Sequence, residues 1–326
     1  MTIRFARGLI AGAVSLIASL AAAQTYPTKP ITVIVPFAAG GPTDTIARLY
    51  GEQISKQMAQ PVLIENVTGA GGVTGTTRAK AAEATGYVLL VHNVAPFVAG
   101  PTLYANVAYS PNTDFMPIAS LAEAAIYVVV RKDFPAKTLS ELIAYAKVEA
   151  DRVSFASAGS GSATHLACEL LMQKAGIKMT HIPYRGTGPA LNDLVSGKVD
   201  MMCDQGLNVG SQLRAGNVRA LAIAQNERSQ DFPEVPTAAE AGLKDFTVNA
   251  STAAYAPKGT PKAVIDALAR AINTAASNEA TKTRVKQLVS EIPAKDRLTP
   301  DGLGAFTRSE EQMWGRVIRD GGIKLN

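Results

Sequence analysis

Apolar and polar positions alternate in two textures along the chain. ITVIV (31–35) is a short β-branched run, and a Gly/Pro loop over 36–43 leads into DTIARLYGEQISKQM, where Ile46, Leu49, Ile54 and Met58 keep a helical spacing. The strand–loop–helix unit then recurs. PVLIE (61–65) is followed by the glycine loop Gly69–Gly72, a helix expected through Ala82, and the run YVLLVH (87–92). Between about 101 and 122 the pattern loosens into Pro- and Asn-rich turns, and IYVVVRKD (126–133) restarts a strand. TLSELIAYAKVEA reads as a helix with Thr138 as N-cap and Glu141 completing a capping box. VSFA (153–156) reads as a strand, 157–162 as a Gly/Ser loop, and ATHLACELLMQKAG as a helix stopped by Gly176. MTHIPY, PALNDLVSG, VDMMCD, VGSQLRAG and VRALAIA continue the alternation to near residue 225. Beyond Asp231 the texture changes, VNASTAAYAP (248–257) reads as one more extended segment, and helices fill the remainder.

Apolar strands alternating with amphipathic helices predict parallel sheets covered on both faces. Two such series, with the chain returning to the first after the second, predict an α/β body of two lobes. Their expected limits are 24–122 plus 232–326 for lobe 1 and 123–231 for lobe 2. A cleft between lobes is where small-molecule sites tend to lie. No repeat is visible at the residue level, so the lobes are alike in architecture only.

The N-terminus adds a destination. Arg4 and Arg7 precede an apolar run from Gly8 that closes on Ala21-Ala22-Ala23, which predicts a signal peptide over 1–23, cleavage near Ala23 and a periplasmic location. The run is shorter than the roughly 20 residues a spanning helix needs. Its removal lowers the net charge from +5 to +3, since the segment holds two arginines and no acid. No Lys/Arg cluster or aromatic–basic interleaving supports a nucleic-acid partner. His92, His165 and His181 stand apart without a metal-ligand spacing, and no metal or cofactor is expected. Cys168 lies on an apolar helix face and Cys203 in an apolar strand, which is how buried free thiols look; an exported chain could also pair them, and spacing does not decide.

Two loops share one physical plan. Residues 36–44 (PFAAGGPTD) and 157–165 (SAGSGSATH) each follow a strand and open a helix. Glycines let backbone approach a ligand, and the free N–H groups of a first helical turn attract anions. Two such termini facing a cleft would hold a carboxylate without an arginine. The plainer alternative is an ordinary strand–helix connection. Asp44 reads as an N-cap of its helix, Ser162 and Thr164 compete for that duty in the second loop, and His165 reads as structural. Enzymatic templates fit poorly: FASAGSGSATH lacks the G-x-S-x-G elbow, no Walker loop occurs, and GAGGVTG (69–75) lacks the acidic partner of a dinucleotide site.

In order along the chain, YPTKPITVIVPFAAGGPTDTIAR (26–48), IENVTGAGGVTG (64–75), FASAGSGSATHLACELL (155–171), THIPYRGTGPALNDLVSGKVDMMCD (180–204), EVPTAAEAG (234–242) and APKGTP (256–261) resemble the substrate-binding proteins of tripartite tricarboxylate transporters, the Bug family. The resemblance implies a two-lobed periplasmic-binding-protein (Venus-flytrap) fold, capture of a small organic acid, delivery to a membrane permease, and no catalysis. Carried over by motif, ligand contacts fall on Phe37, Ala38, Gly41 and Asp44 in the first lobe and on Ser157, Gly159, Ser162, Thr164 and His165 in the second. Asp204 matches a position the family aims at the cleft. Ala38-Ala39-Gly40-Gly41 stands where many relatives have a proline before the paired glycines, Ser251 where a tryptophan is frequent, and Gln205 where an asparagine is common. Asn93, Tyr184, Ser251 and Thr252 are assigned to the far end of the cleft, which selects the ligand: a mono- or dicarboxylate, aromatic acids included. A monomer is expected. The competing functions are a periplasmic sensor with a signalling partner and, behind it, a serine hydrolase using Ser160.

Overall fold

The computed structural model describes residues 26–149, 152–323 and 325; the expected signal peptide and its cleavage point lie outside the described residues. β1 (Ile31–Val35) lies between β2 (Val62–Asn66) and β3 (Val88–Asn93), all parallel. The long strand β4 (Phe115–Arg131) then leads into β5 (Ser154–Ser157), β6 (Thr180–Pro183), β7 (Met201–Gln205) and β8 (Val218–Ile223), and β9 (Asn249–Pro257) returns. One nine-stranded sheet results, in the order β2-β1-β3-β9-β4-β7-β5-β6, with β8 also on β4. The sheet is mixed where parallel pairing was expected. Two parallel sets, β2-β1-β3 and β7-β5-β6, are joined by antiparallel β9 and β4, which bring the chain across and back.

β4 is the physical link between the halves. Phe115–Ala125 pairs with β9, and Ile126–Arg131 pairs with β7 and β8 instead. The strand therefore begins at Phe115, inside the stretch read as turns. Pro117 is tolerated because the register against β9 shifts between Pro117 and Ala119, so its missing N–H breaks no ladder bond. After β8 the chain does not return at once. Ile223 N–H donates to Pro236 O, Ala238 N–H to Ile223 O and Val248 N–H to Ala224 O, so 232–248 stays with β8 before β9 begins.

Helices cover both faces: α1 (Pro42–Met58), α2 (Val73–Lys80), α3 (Val94–Leu103), the short α4 (Pro111–Asp114), α5 (Leu139–Val148), α6 (Ala163–Ala175), α7 (Thr187–Val195), α8 (Gly206–Arg214), α9 (Lys262–Ser277), α10 (Glu279–Gln287) and α11 (Pro300–Asp320). Thr138 caps α5 by accepting Glu141 N–H, and Gly176 ends α6 in the left-handed region at φ 62°, both as read from the sequence. α3 was not anticipated; eight of its residues are buried, so it carries no polar face to reveal its period. Tyr50 of α1 and Ile272 of α9 belong to one core, and Leu191 of α7 and Val209 of α8 to another. The largest core, which includes Phe97, Trp314, Phe155 and Leu166, runs continuously between the halves. Cys168 and Cys203 are not free thiols. A disulfide joins α6 to β7 at a Cα separation of 5.4 Å, because the helix packs directly on that strand.

Candidate ligand-binding site

Five helices begin at one cavity. The N-cap residues of α1 (Gly41), α3 (Asn93), α6 (Ser162), α7 (Gly186) and α8 (Gln205) all line the same space of about 150 Å³. A helix leaves its first N–H groups without intrahelical partners, and a capping side chain normally satisfies one of them. Here only Ser162 does so, accepting His165 N–H; the other four caps make no side-chain cap bond. Orphan amides and five positive dipole ends thus meet in one place. Among the described residues no Asp, Glu, Lys, Arg or His lines the cavity.

Unused side-chain polarity faces the same space. Both amide atoms of Asn93 and the Thr187 hydroxyl are buried without a hydrogen-bond partner, although both residues line the wall. Unpaired buried polar atoms are costly, and their clustering at a cavity points to a ligand that completes them. The close approach of the halves depends on Gly186, whose φ of 143° admits few side chains and where a Cβ would lie 3.1 Å from the Ala38 Cβ.

The residues named from sequence separate into two groups. Phe37, Ala38, Gly41, Asn93, Ser162 and Thr164 line the cavity. The others stand behind its wall. Asp44 is not the N-cap; it sits in the first turn of α1 and reaches back to accept Gly40 N–H at 2.8 Å, while Arg48 and Asn66 also donate to it. Burial pushes its carboxyl up, but those three hydrogen bonds and the Arg48 charge outweigh burial and hold it below the usual range. Ser157 is fully buried, accepting Gly159 N–H and bonded to His181 Nε2 at 2.7 Å, which removes it from solvent as a nucleophile. His165 accepts Gly161 N–H on Nδ1, places Nε2 3.3 Å from Glu169, and stacks on His181 at 4.1 Å. Burial and the neighbouring His165 push His181 down to about 3. Both loop glycine amides are therefore fastened from beneath.

Asp204 is fully buried, accepts Gln205 N–H at 2.7 Å and is also bonded to Asn208, so it braces the start of α8. Burial raises it to about 7 against these two bonds. Ser251 and Thr252 are buried in β9 and line no part of the cavity, and Tyr184 and Gly159 line an adjoining one of about 570 Å³. Sequence reasoning missed Gly186, Thr187, Gly188 and Pro189, although a Gly-Thr-Gly-Pro run ahead of a helical pattern is a helix-start signal. A further cavity of about 510 Å³ beside residues 225–231 is lined by four acids (Glu123, Glu227, Asp231, Glu291) and three cations (Arg228, Lys282, Lys286), so it lacks the single character of the first.

The profile of the tripartite tricarboxylate transporter family receptor matches residues 46–323. The chain belongs to that receptor family. MatC from Rhodopseudomonas palustris, a structure with bound malate, is 40% identical to this receptor-family chain, covers 90% of it and 100% of its own length, and superposes with a TM-score of 0.87. The periplasmic binding protein BugD is 37% identical, covering 92% and 99% at a TM-score of 0.87. Rpa4515 from R. palustris, solved with adipate, is 27% identical over 92% and 99% at 0.86. The two-lobed periplasmic-binding-protein fold expected from the motifs is the fold of this family member, which is a solute-binding protein of Bug type from a periplasmic family.

Proposed function

We propose that this receptor captures a small carboxylate between its lobes in the periplasm, as a monomer, and delivers it to the permease of a tripartite tricarboxylate transporter without chemical change. The observation that carries this is the meeting of five N-caps at one cavity that no charged side chain lines. Each helix terminus favours an anion by about 0.3–1 kcal/mol, so five supply about 1.5–5 kcal/mol, the upper end comparable to a millimolar dissociation constant before any side chain contributes. Ser162, Thr187 and Asn93 add hydrogen bonds directed at the same group. That relatives of 40% and 27% identity were solved with malate and with adipate supports a dicarboxylate. The lobes part, in this proposal, between Ala125 and Ile126 of β4 and between Val248 and Asn249, where strand pairing changes sides. Contacts then tighten when one ligand touches both lobes, which selects the closed form.

The test is titration calorimetry and thermal melting of the purified protein against malate, adipate, monocarboxylates and uncharged amides of the same shape. Carboxylates are expected to raise the melting temperature by several degrees, because a ligand bound only by the folded form stabilises it. No shift across the carboxylates at millimolar concentration, or an equal shift with the amides, overturns the proposal.

A further inference from the structure

The cavity of helix caps has a neighbour. A second space of about 570 Å³ shares Phe37, Ala38 and Ala158 with it, so these three residues form a partition with one cavity on each side. Its far wall is built by the glycine loop 69–72 and by Ser160, Tyr184 and Arg185. Its two tyrosine hydroxyls are committed: Tyr184 donates to Asp193 at 2.8 Å and Tyr104 to the Ser160 carbonyl at 2.7 Å. Among the described residues no Asp or Glu reaches the lining of either cavity, and Arg185 is the one side chain that brings a full charge.

Arg185 is also close in sequence to the first cavity. It stands two residues before Thr187, and two residues of fully extended chain span at most about 7 Å. A guanidinium presents a planar fork of donors that matches a carboxylate bidentately, and no acid among the described residues shares this lining with it. The helix caps and Arg185 are thus two anion-attracting features in adjoining cavities that share three lining residues, with Arg185 on one and its neighbour Gly186 on the other.

We propose that the second cavity is a distal acid subsite in which Arg185 pairs with the second anionic group of a dicarboxylate whose first carboxylate lies on the helix caps. The proposal rests on the carboxylate-capture function above and deepens it: the ligand class is a flexible dicarboxylate that passes the Phe37–Ala38–Ala158 partition, and Arg185 separates it from monocarboxylates of equal length. Arg185 is exposed and packs into no core cluster, so its replacement spares the fold.

The experiment compares wild type, Arg185→Gln and Arg185→Lys by calorimetric titration with adipate and with hexanoate, its counterpart lacking one carboxylate, and with malate, after melting curves confirm that each variant is folded. Wild type is expected to bind adipate or malate more tightly than hexanoate. Arg185→Gln is expected to weaken the preferred dicarboxylate by about tenfold or more and hexanoate less than twofold, with Arg185→Lys between, since the point charge of lysine lacks the fork. In wild type, added salt is expected to weaken the dicarboxylate more than hexanoate, because a pair at an exposed arginine is screened. Equal losses on both ligands, no loss on either, or salt sensitivity that does not differ between them overturns the subsite while leaving carboxylate capture standing. Failure of wild type to bind any of the three overturns both.

Discussion

Thr187→Val offers a sharp separation of function from stability. Thr187 is 5% exposed, its hydroxyl has no hydrogen-bond partner, and it lines the cavity of helix caps. Valine keeps the shape and removes the oxygen. An unpaired buried hydroxyl costs about 1–3 kcal/mol; solvent reaching the cavity offsets part of this, so the variant is expected to gain about 1 kcal/mol without ligand, roughly 2 °C in melting temperature. With ligand the sign reverses. A hydrogen bond to a charged group contributes about 1.5–3 kcal/mol, so losing it weakens carboxylate binding by about 10- to 150-fold. Differential scanning calorimetry without ligand and titration calorimetry with malate measure the two effects separately. A variant that melts lower than wild type and binds with unchanged affinity refutes the reasoning, since the hydroxyl would then be structural.

Three further outcomes are expected. Gly71→Ala places a Cβ 2.5 Å from the Ser160 carbonyl oxygen, at a φ of 59° that L residues disfavour; loop 69–72 can then no longer seat on 160–161, and ligand affinity should drop more than tenfold, with a larger radius of gyration by X-ray scattering in saturating ligand. Asp204 holds its proton up to about pH 7 when folded, against an ordinary value of 3.8. The native state therefore binds the proton more tightly than the unfolded chain, and this contribution is full below about pH 4 and lost as pH rises through about 7. Relative to Asp204→Asn, wild type should lose stability on the order of 1 kcal/mol between about pH 6 and pH 8, read as a melting temperature that falls against that of the variant. His92 and His181, each pushed down to about 3, act in the opposite sense as pH falls below their ordinary 6.5; both are common to wild type and the variant, so the difference between the two profiles isolates Asp204. Finally, the disulfide closes a loop of sequence separation 35, so Cys168→Ser with Cys203→Ser should lower stability by about 4 kcal/mol on the chain-entropy estimate, read by urea denaturation.

Much of this architecture was legible because local and global signals agree. Ile31–Val35 is apolar throughout and is a strand buried between two others, and Thr138 and Gly176 mark helix ends by side-chain and backbone chemistry that acts within a few residues. Signals failed where tertiary packing overrides them. α3 is apolar on every side and contains Pro96 and Pro101, so no periodic stripe distinguishes it from a loop. β4 absorbs Pro117 by a register shift that only its partner strand reveals. Two of the five helix starts at the cavity, at 41 and 162, were foreseen as anion sites from glycine and serine content, whereas Gly186 and Gln205 acquire that role from the convergence of distant segments. Asp44, Ser157, His165 and Asp204, expected from the resemblance to touch ligand, instead have their polar atoms turned toward loop amides and neighbouring side chains that shape the wall. The thiols pair because α6 lies on β7, a proximity that 35 intervening positions do not encode.

The distribution of the five helix starts has a mechanical consequence. α1 and α3 belong to the half built on β1 and β3, while α6, α7 and α8 belong to the half built on β5 and β7. Separating the halves divides the dipoles into a pair and a trio, neither of which retains the full set of donors. Among the described residues no ionisable side chain lines this cavity, so the hold comes from amides and hydroxyls that converge only while the halves stay together. In the proposed function, grip is thus a property of the assembled ring, and a transporter that pries the halves apart would release the cargo by geometry.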